Sequence, residues 1–392
     1  MISVTEAKNI IFNHLPERKT TVLPLSQVAG LVTSAEVIAG TDIPGFPQSS
    51  MDGYALKFEY KDVPLEISGV MAAGTTTALH IKNRQASRIF TGAPLPEGAD
   101  TVVMQEKITV ENHQLIINDE NLSLGLNVRP KGSEVKQGAV AMTAGTVLSP
   151  AAIGFLAGIG QDKVEVYRPP VVAIILTGNE LQNPGNELAF GQVYEANSYQ
   201  LRAALEKTGV KEIHIFRAED DPEMLQQILE QALAISDMVL LNGGVSVGDY
   251  DFVTRAAEQC GIEEKFHKIK QKPGKPLFFG NKGEKLVFGL PGNPSSSLTC
   301  FYEYVLPAVE QLSGLKNSIQ QLRAVATHDY TKPTGLTHFL KAFYEEGKVT
   351  PLHAQESYRL HSFAHANCFL VLPEESTGCK KDDSVEIRLL PV

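Results

Sequence analysis

Cysteine and long apolar runs are both scarce in this chain of 392 residues. The four cysteines include no Cys-x-x-Cys pair, and they are Cys260, Cys300, Cys368 and Cys379. Scattered cysteines in a chain of this length indicate reduced core thiols rather than disulfides or zinc ligands. The longest apolar stretches, at 151–160 and 171–176, fall far short of the roughly 18 residues that a membrane span needs. With no signal-peptide pattern at the N-terminus, we expect a cytoplasmic protein without membrane contact.

Positively charged residues are also few. The chain has 35 Lys and Arg residues and 45 Asp and Glu residues, which gives a net charge of -10. Broad nucleic-acid surfaces depend on clustered basic residues, so we expect no nucleic-acid partner. The His-Glu-x-x-His, Gly-x-x-x-x-Gly-Lys-Ser/Thr and Gly-x-Gly-x-x-Gly patterns are all missing from the sequence. Their absence argues against zincins, P-loop enzymes and the common dinucleotide folds, and no nucleophilic triad has a signature here.

The residue patterning predicts four modules in a chain too long for one hydrophobic core. Ser3 and Glu6 form a capping box for a first helix, and Ser149-Pro150 opens a later one. Between them, short apolar runs punctuated by Gly and Pro are typical of a small β-rich domain. The predicted modules are a helical linking domain at 1–40 and 145–168, a β-rich inserted domain at 41–144, an α/β domain at 169–315 and a C-terminal β domain at 322–392.

Strands and helices alternate clearly from residue 169 onward, which predicts a parallel sheet. Expected strands cover 171–176, 212–216 and 238–241, and further apolar stretches follow at 277–279 and 286–288. Helices are expected near 198–207 and from Pro222, Asp251 and Pro294, while short alternating strands follow residue 322. The predicted fold class is therefore α/β plus β, with a central parallel-sheet α/β domain, a β-rich inserted domain and a small C-terminal β domain.

Three loops follow predicted strands, at 177–180, 242–251 and 291–294, where open parallel sheets bind ligands. Glycine lets backbone N–H groups approach an anion, and a helix N-terminus adds unpaired donors. We expect the three loops to face one crevice, although the Pro-Gly-Asn-Pro segment alone also fits an ordinary strand-to-helix turn. The predicted ligand-binding residues are Gly243, Gly244, Ser246, Gly248, Pro291, Gly292, Asn293 and Pro294.

Charged residues near these loops suggest how an anionic ligand is held. Glu180, Asp249 and Asp251 would repel one another unless a cation lay between them, which predicts Mg²⁺ bound with substrate phosphate. Asp220 and Asp221 follow the second strand, although Asp221 also fits a helix N-cap. The segment 270–276 packs three lysines around two prolines, either to aim ammonium groups at an anion or as a solvated basic loop.

Five segments stand out when they are taken in order over essentially the whole chain. They are Ser-Met-Asp-Gly-Tyr-Ala at 50–55, Thr-Gly-Ala-Pro-Leu-Pro-Glu-Gly-Ala-Asp at 91–100, Val-Ser-Val-Gly-Asp at 245–249, Lys-Pro-Gly-Lys-Pro at 272–276 and Leu-Pro-Gly-Asn-Pro at 290–294. Together they resemble the molybdopterin molybdenumtransferase family and are similar to the gephyrin E domain. By themselves, Asp52 and Thr91 would be interpreted as turn residues. The four predicted modules agree with the architecture of this family.

The resemblance implies insertion of molybdate into the dithiolene of adenylylated molybdopterin, with Mg²⁺-assisted release of AMP. It also implies a homodimer with a shared cleft, in which Asp52 and Thr91 meet the α/β domain of the partner, and contact with the molybdopterin adenylyltransferase. Lys272, Lys275 and Ser246 match oxyanion-handling positions, Ser357 is assigned to cofactor binding, and Asp251 is the preferred Mg²⁺ ligand beside Asp249 and Glu180. The implied catalytic residues are Asp52, Thr91, Glu180, Asp220, Asp251, Lys272 and Lys275.

The sequence departs from the family pattern in several places. Asn179 replaces an acidic residue, Gln48 an Asn and Glu134 an Asp, and these changes leave the chemistry intact. In the C-terminal module Lys341 stands where an Arg is expected, and residues 355–362 replace a smaller, Gly- and Ser-rich segment. Arg359 either takes over an anion contact there or points into water. The alternative functions are a non-catalytic gephyrin-like scaffold and a nucleotide pyrophosphatase on the same α/β domain.

Overall fold

The structure is a computed structural model that describes residues 1–219, 221–244 and 252–391, with only the backbone of Phe252. The chain forms two compact units. The larger comprises Met1–Leu23, Gly30–Ser34 and Glu165–Val392, and the smaller comprises Pro24–Ala29 and Ala35–Val164. No helix in the described residues is both long and apolar enough to cross a membrane. The boundaries of the four predicted modules stay a prediction.

A six-stranded mixed sheet forms the centre of the larger unit. Neighbouring strands pair in parallel except at Phe278–Lys282, which runs antiparallel to both of its neighbours. In spatial order the strands are Ile213–Ala218, Val172–Thr177, Met238–Asn242, Lys285–Leu290, Phe278–Lys282 and Glu263–His267. The sequence predicted parallel pairing throughout, but only two residues join Phe278–Lys282 to Lys285–Leu290. A parallel pair needs a crossover of a dozen or more residues, so this connection forces a hairpin.

Helices cover both faces of this sheet, which explains why strand Val172–Thr177 is buried at every position. Ala173 and Ile175 join a core with helix Pro222–Ile235, whereas Ile174 and Leu176 face the opposite core. The helices of the larger unit are Val4–Asn13, Asn197–Lys207, Pro222–Ile235, Phe252–Gln259, Pro294–Cys300 and Leu306–Leu312, with a π-helical turn at Phe301–Val305 and a 3₁₀ turn at Phe363–His365.

The helix starts follow the expected capping chemistry. Ser3 and Glu6 form the predicted capping box, and the Asp221 carboxylate accepts a hydrogen bond from the Met224 N–H at 2.8 Å. The N-cap interpretation of Asp221 is therefore confirmed. All four cysteines are free and buried, as their spacing predicted.

The C-terminal part of the larger unit is a small closed β-barrel. Strand Thr337–Glu345 pairs with the strands on both sides of it and so closes the sheet. The order around the barrel is Thr337–Glu345, Lys348–Pro351, Gln320–Ala326, Ser384–Leu389 and Cys368–Leu372. The short strand Gln271–Lys272 adds to the barrel in parallel beside Thr337 and His338. Two further short strands, Tyr330–Thr331 and Gly378–Cys379, pair with each other.

The smaller unit is β-rich, as its sequence predicted. Its main sheet, in order, contains Thr101–Met104, Gly53–Leu56, Gln85–Ile89, Leu65–Met71, Gln114–Ile117 and Ile108–Glu111. Its other elements are strand pairs Gln48–Ser49 with Val128–Arg129 and Val37–Ile38 with Val140–Met142, 3₁₀ turns Leu25–Gln27, Phe58–Tyr60 and Gln105–Lys107, and helix Pro150–Gly158. The remaining short strands of the chain are Thr20–Pro24, Lys163–Tyr167, Leu181–Gln182 and Val193–Tyr194.

Candidate active site

The carboxyl ends of two neighbouring strands, Val172–Thr177 and Met238–Asn242, form a topological switch point. The next helix after the first strand, Asn197–Lys207, packs on one face of the sheet, and the next helix after the second, Phe252–Gln259, packs on the other. Connections that leave in opposite directions open a crevice between the strand ends. The switch point is therefore where a ligand site is expected in this fold.

The two loops at the switch point touch through a glycine. Gly243 has a φ of +95°, and a Cβ atom there would lie 2.6 Å from Thr177 Oγ1 and 2.7 Å from the Thr177 carbonyl oxygen. Any other residue would both collide with Thr177 and strain its own backbone. Glycine at this position thus lets the two loops that begin at Thr177 and Asn242 lie side by side.

A cavity of about 680 Å³ opens at this edge of the sheet and is lined by all three predicted loops. Its lining also includes residues that no loop prediction named, at 193–197 and at Tyr358. The structure therefore brings together most of the predicted ligand-binding residues that it describes. Those around the cavity are Glu180, Gly243, Gly244, Pro291, Gly292, Asn293 and Pro294.

Two amide side chains, of the buried Asn242 and the half-buried Asn197, hold the Pro-Gly-Asn-Pro loop in place. Asn242 is 3% exposed and donates hydrogen bonds to Ser297 Oγ at 2.8 Å and to the Pro291 carbonyl at 3.2 Å. Asn197 donates to Asn242 Oδ1 at 2.6 Å and to the Gly292 carbonyl at 2.7 Å. The sequence analysis assigned neither residue, although an Asn ending an otherwise apolar buried strand is a recognisable signal.

Glu180 supplies a free carboxylate at the cavity. Its side chain is exposed, lies over Gly178, and makes no hydrogen bond to any other described residue. The neighbouring Glu195 is instead buried and accepts hydrogen bonds from Ser198 N–H and Oγ, both at 2.6 Å. Of these two acids, Glu180 alone has both oxygens available for a ligand.

Part of the predicted site lies outside the described residues. Those positions are Asp220, Ser246, Gly248, Asp249 and Asp251, so the predicted acidic cluster around Glu180 stays a prediction. Within the ranges that the structure describes, no three His, Cys, Asp or Glu side chains are grouped so as to hold a metal ion.

The lysine loop, defined as residues 271–276, runs between two cavities. Pro276 lines the cavity at the switch point, while Lys272 and Pro273 line a second cavity of about 540 Å³ beside the barrel. Lys270 forms an ion pair with Glu374 at 2.8 Å. Lys272 and Lys275 are exposed, and their ammonium groups make no hydrogen bond or ion pair within the described part of the chain. Two free cations are therefore available along one short loop.

The divergent C-terminal segment, residues 355–362, reaches the switch-point cavity. Asn293 Nδ2 donates to Ser357 Oγ at 2.9 Å, and the Ser295 N–H donates to the Ser357 carbonyl at 3.1 Å. Tyr358 lines the same cavity. Ser357, which was assigned to cofactor binding, thus contacts the Pro-Gly-Asn-Pro loop and the helix after it. Its carbonyl already accepts one N–H of the helix start that was expected to bind an anion.

The two cations near this segment, Lys341 and Arg359, line neither of the two cavities described above. Lys341 is 2% exposed and its ammonium donates to the carbonyls of Ala354 at 2.7 Å and Arg359 at 2.8 Å. Burial lowers the pKa of Lys341. The Arg359 side chain is 43% exposed, with Nε 3.3 Å from Glu356 Oε2. This geometry favours the solvent-facing alternative for Arg359, while Lys341 stabilises the backbone of the segment.

Asp52 and Thr91 form a preorganised pair in the smaller unit. Asp52 Oδ1 accepts hydrogen bonds from the Thr91 N–H and hydroxyl, both at 2.8 Å. These two hydrogen bonds lower the pKa of Asp52, with a smaller effect from the charge of Arg88. The Arg88 guanidinium lies 4.8 Å from the centroid of the Phe90 ring. The sequence placed Asp52 and Thr91 at separate turns and gave no indication that they touch.

Comparison with known proteins decides the family. The chain is 33% identical to the molybdopterin molybdenumtransferase of Haemophilus influenzae, over 99% of this chain and 98% of that protein. It is 34% identical to the protein of the same name from Nostoc sp., over 100% of this chain and 94% of that one. The chain belongs to the molybdopterin molybdenumtransferase family. The resemblance inferred from five sequence segments is therefore confirmed.

Family models and solved structures of molybdopterin biosynthesis proteins agree with this assignment. The "MoeA N-terminal region (domain I and II)" matches 2–160, the "probable molybdopterin binding domain" matches 173–311, and the "MoeA C-terminal region (domain IV)" matches 323–390. A molybdopterin biosynthesis MoeA protein from Pyrococcus horikosii has a TM-score of 0.86 and 30% identity, with 99% of each chain covered. The predicted fold class of α/β plus β is thus confirmed, with a mixed central sheet.

Proposed function

We propose that the protein is a molybdopterin molybdenumtransferase that inserts molybdate into adenylylated molybdopterin and releases AMP. The observation that carries this proposal is the cavity at the switch point, where glycine loops, the free Glu180 carboxylate and the lysine loop meet. The membership of the chain in this family gives the anionic ligand of that cavity a chemical identity. Scaffold and pyrophosphatase activities remain the competing hypotheses.

The described residues favour catalysis by positioning and electrostatics. Gly244 and Gly292 line the cavity and carry no side chain, so their backbone can approach phosphate oxygens closely. The Gly243 N–H is already donated to the Leu290 carbonyl at 3.2 Å. The unpaired ammonium groups of Lys272 and Lys275 offset negative charge on the incoming oxyanion and on the bridging phosphates. Holding two anionic reactants side by side removes an entropic and electrostatic barrier to their reaction. No covalent intermediate with the protein is required.

Mg²⁺ is part of this proposal, with Glu180, Asp249 and Asp251 as its ligands. The exposed Glu180 carboxylate lines the switch-point cavity and makes no hydrogen bond to another described residue. It therefore fits the oxygen ligands and open coordination that Mg²⁺ prefers. When bound, the ion neutralises charge on the phosphoanhydride and acts as a Lewis acid. Glu180 contributes by keeping both oxygens free of hydrogen bonds to other described residues.

We further propose a cytoplasmic homodimer, in which the Asp52–Thr91 pair of one protomer serves the cleft of its partner. The family resemblance supports this assembly, and the two hydrogen bonds from Thr91 fix the position of the Asp52 carboxylate. Contact with the molybdopterin adenylyltransferase would deliver the substrate. Mixing Asp52→Ala and Glu180→Ala protomers tests the shared cleft, because mixed dimers should regain about a quarter to half of the wild-type activity, and no recovery would contradict it.

Release of AMP from adenylylated molybdopterin, measured with and without molybdate and Mg²⁺, tests the enzymatic function. We expect release that depends on molybdate, and a loss of at least about tenfold in Lys275→Ala, since one charge-assisted contact is removed. Lys270→Ala is the matched control, because Lys270 is already paired with Glu374. If the wild-type protein releases no AMP, the scaffold function is favoured. If it releases AMP equally with and without molybdate, the pyrophosphatase is favoured.

A further inference from the structure

The side chain of Gln271 lies directly beneath the lysine loop. Gln271 is fully buried, and its amide Nε2 donates to the Pro273 carbonyl at 3.0 Å and to the Gly274 carbonyl at 3.2 Å. The same nitrogen lies 3.5 Å from Cys300 Sγ. Pro273 and Gly274 are the two residues between Lys272 and Lys275. A single buried amide therefore anchors the backbone between the two free cations.

The loop backbone packs closely against the side chains of Gln271 and Cys300 at Gly274. Gly274 has a φ of +87°, and a Cβ atom there would lie 2.5 Å from Cys300 Sγ and 2.8 Å from Gln271 Nε2. Residues on either side are held as well, because the Lys275 carbonyl accepts from the N–H groups of Ile269 at 3.0 Å and Leu277 at 3.1 Å. The loop conformation consequently depends on close contact with the two side chains below it.

Tyr304 fixes the orientation of the Gln271 amide. Its buried hydroxyl donates a hydrogen bond to Gln271 Oε1. Burial raises the pKa of the Tyr304 phenol, so the hydroxyl stays protonated and remains a donor. With Oε1 engaged in this way, the NH₂ end of the amide must face the loop. The reversed orientation would place an oxygen against two carbonyls and leave the phenol without an acceptor.

We propose that Gln271 is a positioning residue for the lysine loop, held in its working orientation by Tyr304, and that it sets the spacing of Lys272 and Lys275. The oxyanion affinity of the cleft then depends on a side chain that contacts no ligand. The identity of the oxyanion as molybdate rests on the proposed function, whereas the positioning of the loop does not. Tyr304 acts only through Gln271, so the effects of the two residues are coupled.

Molybdate binding by the full-length protein, measured by equilibrium dialysis, tests the proposal in Gln271→Met, Tyr304→Phe and the double variant. We expect Gln271→Met to weaken binding about tenfold, because two loop carbonyls lose their partner. Tyr304→Phe should weaken it less, and the double variant no more than Gln271→Met alone. Asn367→Leu is the control, since Asn367 likewise binds backbone, at the Tyr344 carbonyl and N–H, away from the loop.

Hydrogen exchange of the amides in residues 270–277 provides a readout that does not depend on molybdate. We expect faster exchange in Gln271→Met than in the wild type, and no change in this segment for Asn367→Leu. Unchanged exchange, or additive losses of binding in the double variant, would overturn the positioning role. If Gln271→Met fails to fold, Tyr304→Phe decides alone, and unchanged exchange in residues 270–277 of that variant would then overturn the positioning role. If the wild-type protein binds no molybdate, the proposed function is contradicted. Hydrogen exchange of residues 270–277 then still tests whether Gln271 positions the loop.

Discussion

Removal of the Asn242 side chain is the sharpest test of how the switch-point cavity is built. Asn242 ends a central strand, and its amide donates to Pro291 and Ser297 and accepts from Asn197. Asn242→Ala therefore cuts the connection between the strand end, the Pro-Gly-Asn-Pro loop and the helix that follows it. Because the site is 3% exposed, water cannot readily replace these partners.

The magnitude follows from the three hydrogen bonds that are lost. At about 1 kcal/mol net for each bond, the larger unit should lose about 3 kcal/mol of its free energy of unfolding. For a domain of this size that corresponds to a fall in Tm of about 6 to 12 °C. Differential scanning calorimetry measures this directly on the full-length protein. The affinity for nucleotide should fall too, because the loop that lines the cavity loses its support.

Asn186→Ala is the matched control, since the Asn186 amide is exposed and bonds only to the Gln182 side chain at 3.1 Å. Its Tm should stay within about 1 °C of the wild-type value, as expected for an exposed substitution. A Tm for Asn242→Ala that is no lower than that of the control would refute the reasoning, because the amide network would then contribute nothing to stability.

Further predictions concern three other groups. Thr91→Val removes the hydroxyl donor to Asp52 and keeps the N–H donor, so the pKa of Asp52 should rise part of the way in a ¹³C NMR titration. The stabilisation that is lost as pH falls through the depressed pKa should shrink accordingly. Burial lowers the pKa of His338 from 6.5 to about 4, so the barrel should lose stability as pH falls across that window. His338→Phe should flatten this slope in urea titrations. Arg359→Gln should leave the molybdate dependence of AMP release unchanged, and a higher molybdate requirement would revive the compensatory role.

Local signals in the sequence predicted the elements that frame the site. The N-caps at Ser3, Ser149 and Asp221 mark helix starts that the structure contains, because a capping hydrogen bond spans only three residues. Alternation of strand and helix indicated the parallel core of the sheet, and hence the edge where the three loops lie. The loops around the cavity were predictable because their glycines directly follow apolar strands.

Contacts between distant segments could not be predicted in the same way. Gln271 and Tyr304 are 33 positions apart, and Asp52 and Thr91 are 39 apart, so no local pattern brings either pair together. Lys341 stands where the family resemblance implies an Arg, and the fold buries its ammonium group against the carbonyls of Ala354 and Arg359. Such partners depend on how loops pack after the strands have paired.

The ratio of AMP released to molybdenum incorporated is the measurement that tests the central claim most directly. The wild-type protein would be incubated with adenylylated molybdopterin, molybdate and Mg²⁺, and both products would be quantified in the same sample. Insertion coupled to cleavage predicts one AMP for each molybdenum atom bound to the dithiolene, and no AMP when molybdate is omitted. AMP released in excess of incorporated molybdenum, or without molybdate, would contradict the account.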